Sequence, residues 1–247
     1  MKRIVITAAT SAIAESAAHI WAKREPSEFF LIARDKDKLG RMASNLVLRN
    51  QGTVAHEIIL DFSDPKAIAK VVKTIASDGP IDIALIAQGV LTLQREAQES
   101  LDVLVDSIAI NATSPAMFAE CFMAEQEKQG FGQLGIIGSV AADRGRKELY
   151  TYGASKSFLE TFVEGAGARL VGTKATLTIW KPGPTDTPMM KRAEGPKMLV
   201  ASADSVAKAG IRAMDKGKRK VYLPKRWWLV MFIARCIPNF IYDRLSV

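Results

Sequence analysis

Apolar residues along the chain gather in short continuous runs, such as Ile4-Val5-Ile6, Phe29-Phe30-Leu31-Ile32-Ala33 and Ile83-Ala84-Leu85-Ile86-Ala87. Runs of this length read as strands, and their lack of polar alternation predicts helices over both faces. Strands are predicted at residues 3–7, 28–33, 54–60, 81–87, 134–138, 175–180 and 220–223. The intervening stretches have helical length, at residues 11–24, 36–50, 65–77, 115–129, 152–170 and 203–216. This alternation predicts an α/β fold, a doubly wound parallel sheet of about seven strands. No repeat, low-complexity tract or linker divides the chain. The reading is a main unit over residues 1–224 and a C-terminal helical extension, 225–247, that is part of the same domain or associates with a membrane. In sheets of this kind ligands bind beyond the carboxyl ends of the strands, so those ends carry the candidate chemistry.

Composition narrows the picture. A chain of 247 residues suits one such domain, and a hydrophobic content of 48% excludes a disordered chain. Two cysteines and two histidines, without ligand spacing, give neither a disulfide framework nor an expected metal site. The first strand begins by residue 4, so no signal peptide is expected, and the expected location is a reducing cytoplasm. The formal net charge of +8 is concentrated late in the chain. Lys216 to Arg226 carries six Lys/Arg and no acid, and Trp227-Trp228-Leu229-Val230-Met231-Phe232-Ile233-Ala234 follows. A basic run leading into Trp and aliphatics suits the surface of a membrane, on its inner face, better than nucleic acid. Arg235 and Pro238 break the run far short of the roughly 20 residues a span requires, so residues 216–245 are expected to lie on the bilayer. The competing reading is a helix that caps a pocket or packs on a second subunit.

The first strand end reads Thr7-Ala8-Ala9-Thr10-Ser11-Ala12-Ile13-Ala14. A helix N-terminus here offers amides and a positive dipole end to a pyrophosphate, and Thr10 and Ser11 add hydroxyls. Glycine is usual in such turns; alanine fits where only closeness matters and badly where φ must be positive. An ordinary small-residue turn is the alternative. The second strand ends in Ala33-Arg34, where an acid would hold the ribose 2′-hydroxyl of NAD. Arg34, with Lys36 and Lys38 nearby, suits a 2′-phosphate instead, or is simply a solvated arginine. At the third, Asp61 is placed to accept the adenine amino group, or to cap a helix. Further on, Ser139 ends a strand and Tyr152 follows thirteen residues later. Tyr152 and Lys156 stand at i and i+4, which share a helical face. A nearby cation favours tyrosinate and is expected to lower the pKa of Tyr152, ordinarily about 10.

With Asn111 upstream and Lys181-Pro182-Gly183-Pro184-Thr185-Asp186-Thr187-Pro188 downstream, this set in this order resembles the short-chain dehydrogenase/reductase family over essentially the whole chain. Two motifs depart from the family pattern. Ala8, Ala12 and Ala14 stand in three glycine places, and Ile86-Ala87-Gln88-Gly89 keeps only the glycine of an NNAG motif. The resemblance implies a Rossmann-type, NAD(P)H-dependent oxidoreductase that reduces a carbonyl by hydride transfer, NADPH being preferred. Tyr152 would be the general acid, Ser139 a hydrogen-bond donor to the substrate oxygen, and Lys156 a second contact to the nicotinamide ribose. Asn111 would hold a water linking Lys156 to solvent. The cofactor would lie against Thr10, Ser11, Ile13, Arg34, Asp61, Phe62, Ala87, Gln88, Gly89, Tyr152, Lys156, Pro182, Gly183, Thr185 and Thr187. Association of copies through the helices at 115–129 and 152–170, giving a homo-oligomer, is implied as well.

The loop between Ser139 and Tyr152 carries Arg144, Arg146 and Lys147, which could receive a substrate phosphate or be solvated beside Asp143 and Glu148. The stretches ATSAIA, IAQG and SVAADRGR, with the basic Trp-rich tail, resemble the branch that includes decaprenylphosphoryl 2-keto-pentose reductase. That likeness implies a lipid-linked keto-sugar as substrate. A soluble or steroid-like ketone is the second reading, and a catalytically silent nucleotide-binding scaffold the third.

Overall fold

The computed structural model of the chain describes residues 1–192 and 199–244. The first half alternates strand and helix: β1 (Lys2–Thr7), α1 (Ala12–Arg24), β2 (Ser27–Ala33), α2 (Lys36–Arg49), β3 (Val54–Ile59), α3 (Pro65–Ser77) and β4 (Ile83–Ile86). Two short helices that the sequence pattern did not reveal come next, α4 (Gln94–Glu99) and α5 (Leu101–Ile108). A π-turn at Ala109–Thr113 then leads into α6 (Ser114–Gln129) and β5 (Phe131–Ile137). The remainder is α7 (Tyr150–Ala166), β6 (Lys174–Pro182), β7 (Thr185–Asp186), β8 (Ala201–Ser202), α8 (Ala203–Asp215), β9 (Lys220–Leu223), α9 (Arg226–Cys236) and α10 (Asn239–Tyr242). The end of the expected membrane segment, Leu245, lies outside the described residues.

Seven of these strands form one sheet in the order β3-β2-β1-β4-β5-β6-β9, parallel throughout. The chain reverses direction of winding between β1 and β4, whose ends meet at Thr7 and Ile86. Alternate residues of each central strand point to opposite layers. Ile4 and Ile6 join Trp21, Leu39, Leu46, Ile211 and Met214 on the α1, α2 and α8 side. Val5 joins Ile68, Val72, Phe118, Phe122 and Leu159 on the α3, α6 and α7 side. Both faces are covered, which is why the strands read as unbroken apolar runs.

A buried charge cluster fixes the sheet edge nearest the site. Lys181, at the end of β6, is wholly enclosed and ion-pairs with Asp143 and Glu160. Lys220 holds the same Glu160 at 2.5 Å and Glu164 at 2.6 Å, and the Tyr222 hydroxyl donates to Asp143 at 2.9 Å. Burial and the Asp143 carboxylate push the Tyr222 phenol up to about 12, so it remains a donor. One cluster thus ties β6, β9, α7 and the loop after β5 together. Asp143 serves this cluster rather than pairing with the basic residues of its own loop.

The turn from β1 into α1 settles the glycine question at one position. Ala8 has φ +49°, in the left-handed region. The conformation is fixed by its neighbours: Ala9 N–H donates to Ile32 C=O at 3.1 Å, and Ser11 N–H donates to Ala8 C=O at 2.9 Å. Ser11 then caps α1, its side chain accepting from Ala14 N–H. Ala14 is fully buried against the sheet, where only closeness matters, so alanine fits there. Ala8 carries a steric cost of about 1–2 kcal/mol. Ala8→Gly removes the clash at the expense of added chain entropy. The expected outcome is a gain of about 1 kcal/mol, read as a melting temperature higher by about 2–4 °C. An unchanged or lower melting temperature would contradict a strained Ala8.

Candidate active site

The centre of the site is Lys156. It sits one turn after Tyr152 on α7 and is 2% exposed. Its ammonium donates to Gln88 C=O at 3.3 Å and Ile137 C=O at 3.2 Å, the ends of β4 and β5. No carboxylate among the described residues pairs with it, and burial brings its pKa down from 10.5 to about 8. An ammonium has three donors, so one N–H remains for a ligand. Gly89 permits this approach: a Cβ there would lie 3.4 Å from Lys156 Nζ and 3.3 Å from Asn111 Oδ1. Asn111, in the π-turn and fully buried, clamps the next residue from both sides. Its Oδ1 accepts from Val90 N–H at 3.0 Å and its Nδ2 donates to Val90 C=O at 3.0 Å and Ser107 C=O at 2.9 Å.

Tyr152 lies with its ring centroid 5.9 Å from Lys156 Nζ, as the i, i+4 spacing requires. Burial pushes its phenol above the ordinary value, while a hydrogen bond with the Ser139 hydroxyl and the charge of Arg146 pull it back. The expected lowering by Lys156 is therefore not what governs this group; removal from water outweighs the nearby charges. Ser139 and Tyr152 converge because the 3₁₀ turn at Val140–Ala142 folds the strand end onto α7, with Ser139 Oγ accepting from Ala141 N–H at 3.1 Å.

The other candidate residues line the same carboxyl edge. Ile13 packs its side chain into the core, leaving its amide, in the first turn of α1, without an intrahelical acceptor. Thr7 Oγ1 donates to Gln88 Oε1 at 2.7 Å across the β1–β4 reversal, and Gln88 Nε2 is buried without a partner among the described residues. Ala87 is buried beside it. Arg34 is exposed at the end of β2, its guanidinium 6.0 Å from the Phe62 ring centroid, and the Asp61 carboxyl is lowered chiefly by its hydrogen bonds from Ser63, with the Arg34 charge adding to them. Asp61 accepts from Ser63 N–H and Oγ at 2.9 and 2.8 Å, while Asp64 caps α3. Lys38 is drawn back to Asp35, the cap of α2, at 3.1 Å, so it is not a free cation beside Arg34. Beyond β6, Thr185 and Thr187 hold their own turn, donating to Gly183 C=O at 2.9 Å and Thr185 C=O at 3.2 Å. The free amides at α1, the orphan Gln88 amide, the Gly89 cradle and the spare Lys156 proton together fit a dinucleotide laid across the reversal point.

The loop ahead of Tyr152 departs from the sequence reading. Arg144 does not face solvent to receive a phosphate. Its guanidinium donates to Ala234 C=O and Ile237 C=O at the end of α9 and to Asn239 Oδ1 at 2.8 Å, and lies 3.7 Å from the Tyr242 ring centroid. A cation at the last carbonyls of a helix satisfies them and its dipole. Arg146 remains near Tyr152 and Lys147 is exposed. Two residues that the sequence reading did not assign to the site also border it. Trp227 places its indole where a side chain at Gly183 would stand, beside Pro182. Met189 brings its terminal methyl to 3.7 Å from a Cβ built on Gly89.

Comparison with known proteins bears on the family and the fold. The family described as short chain dehydrogenase matches residues 2–197. An uncharacterised oxidoreductase of Mycobacterium tuberculosis is 33% identical over 221 residues, covering 87% of this chain and 86% of the relative. One of Streptomyces coelicolor is 27% identical over 247 residues, covering 100% and 96%. In fold, a short-chain dehydrogenase of Sphingobium yanoikuyae in complex with NADPH superposes with a TM-score of 0.79 at 23% identity, covering 97% of each chain. The chain belongs to the short-chain dehydrogenase/reductase family.

Proposed function

We propose that the protein is an NADPH-dependent reductase of a carbonyl compound, with Tyr152 as the acid. The observation that carries this reading is the buried Lys156, which bonds only the Gln88 and Ile137 carbonyls among the described residues and so keeps a third N–H for a ligand, one helical turn from Tyr152. When bound, NADPH supplies the hydride to the carbonyl carbon. The developing negative oxygen would then meet Ser139 Oγ as donor and Tyr152 as proton source. The cations Lys156 and Arg146 would offset the tyrosinate left behind. Asn111 would keep the 88–90 loop against Lys156, beside its proposed role of holding a water. Exposed Leu101 and Val105 on α5 and Phe158 on α7 support association of copies along these helices.

For the substrate, the likeness of ATSAIA, IAQG and SVAADRGR to the polyprenyl-phosphate branch supports a lipid-linked keto-sugar. Arg146 and Lys147 remain available to a phosphate, while Arg144 does not. Met189 at the site and exposed Leu199 and Val200 nearby favour an apolar group at the entrance. A steroid-like ketone would use the same apolar surface without the two cations.

Two measurements test the reading. NADPH oxidation followed with a panel of apolar ketones, with and without a phosphate group, should identify a substrate. Tyr152→Phe should then lower kcat by about 10²–10⁴-fold with NADPH binding retained. Substantial turnover by that variant, or failure of the wild type to bind NADPH, would contradict the assignment. The preference for NADPH over NADH rests on Arg34. A charge-assisted contact to phosphate contributes about 1.5–3 kcal/mol, so Arg34→Ala should erode the preference roughly tenfold or more. Equal wild-type affinities in fluorescence titration would overturn it.

A further inference from the structure

Helix α9 is apolar on nearly every side but covered on one. Trp227, Met231 and Ala234, at i, i+4 and i+7, face Val140 and Tyr222. The outer side presents Trp228 at 54% exposure, Leu229 at 53%, Phe232 at 48% and Ile233 at 53%, with Phe240 at 68% on α10 continuing the surface. Trp228 and Phe232 stack at 5.7 Å, which presents a continuous aromatic ridge. A helix apolar all round belongs in a core or against lipid, and α9 has only one stripe of core.

Charge decides what covers the rest. Between Lys216 and Tyr242 there are seven Lys/Arg and no Asp or Glu. Lys225 stands three, four and seven residues before Trp228, Leu229 and Phe232, so it shares their face at the start of the helix. Arg226 precedes Leu229, Val230 and Ile233 in the same way, and both cations are exposed. Aromatic and aliphatic side chains outward, cations at the rim and no acid form the pattern of an interfacial helix on an anionic bilayer. At eleven residues α9 is too short to span, and among the described residues no helix is long and apolar enough to cross a membrane.

We propose that the outer face of α9 and α10 docks on an anionic lipid surface. This holds independently of the reductase reading, though it gives that reading a geometry. Arg144 bonds the end of α9 to the loop before Tyr152, and Trp227 on its covered side meets Gly183, so α9 lies beside the site with the docking face turned outward. A lipid-borne substrate would reach Tyr152 without leaving the membrane surface.

Flotation of the full chain with phosphatidylcholine vesicles, with and without phosphatidylglycerol, tests the proposal. The protein should float with the anionic vesicles at low salt and less at high salt, because the rim charges are screened. The double variant Trp228→Glu, Phe232→Glu should lose binding about tenfold or more. The milder pair Trp228→Ser, Phe232→Ser serves as control if the first does not fold, and both are checked by circular dichroism and light scattering. Failure of the wild type to float at low salt overturns the proposal. So does unchanged binding in a folded variant. A variant that instead dissociates an oligomer, while the wild type ignores vesicles, assigns the face to contact between copies.

Discussion

An ammonium group held away from water by two backbone carbonyls is the constraint around which the site is built. Lys156 has no carboxylate partner among the described residues, and its fall to about 8 corresponds to roughly 3 kcal/mol against the charged form. The position is possible because β4 and β5 end side by side with Gln88 and Ile137 carbonyls turned to it. The absence of a side chain at residue 89 eases it, since a Cβ there would press on Lys156 Nζ at 3.4 Å and Asn111 Oδ1 at 3.3 Å. Asn111 answers the same demand from below, and the π-turn that carries it aims its amide at Val90 instead of along α6. A partner acid would stabilise the ammonium but would also take its remaining donor.

The opposite solution appears a few residues away. Lys181 is also wholly buried, yet it meets Asp143 and Glu160, and Tyr222 and Lys220 complete the set. Removing one partner from such a cluster costs about 3–5 kcal/mol, because the others are left uncompensated. This cluster makes rigid the elements that carry Ser139, Tyr152 and Gly183, while Lys156 stays available. Two buried lysines thus divide the work: one fastens the frame and the other faces the ligand site.

Much of this was legible in the sequence where short-range periodicity governs. The unbroken apolar strands foretold a sheet covered on both faces, and the spacing of Tyr152 and Lys156 foretold their meeting on one side of a helix. The doubt over alanine in the first turn has a different answer at two of the three places, with Ala14 tolerated for closeness and Ala8 forced to a positive φ. What was not legible depends on long-range partners. Arg144 bonds to carbonyls and an amide ninety or more positions away, which no local pattern signals. Helices α4 and α5 are too short for a periodic signal. They are held by contacts such as Gln94, whose amide group donates to Thr151 Oγ1 at 3.0 Å and accepts from Thr151 N–H at 2.9 Å. Pairing of Asp143 with its own basic loop was one of two readings left open, and nothing local signals that Lys181, just past the strand predicted at 175–180, is buried against it.

The central claim is that Lys156 is desolvated and unpaired. It is tested most directly by NMR titration of the protein labelled at lysine Nζ and Cε, with the Lys156 signal assigned by its loss in Lys156→Arg. A midpoint near 8, well separated from the other lysines, is the expected result. Titration with the bulk of the lysines near 10.5 would mean that the ammonium is solvated or paired, and the account of the site would fail.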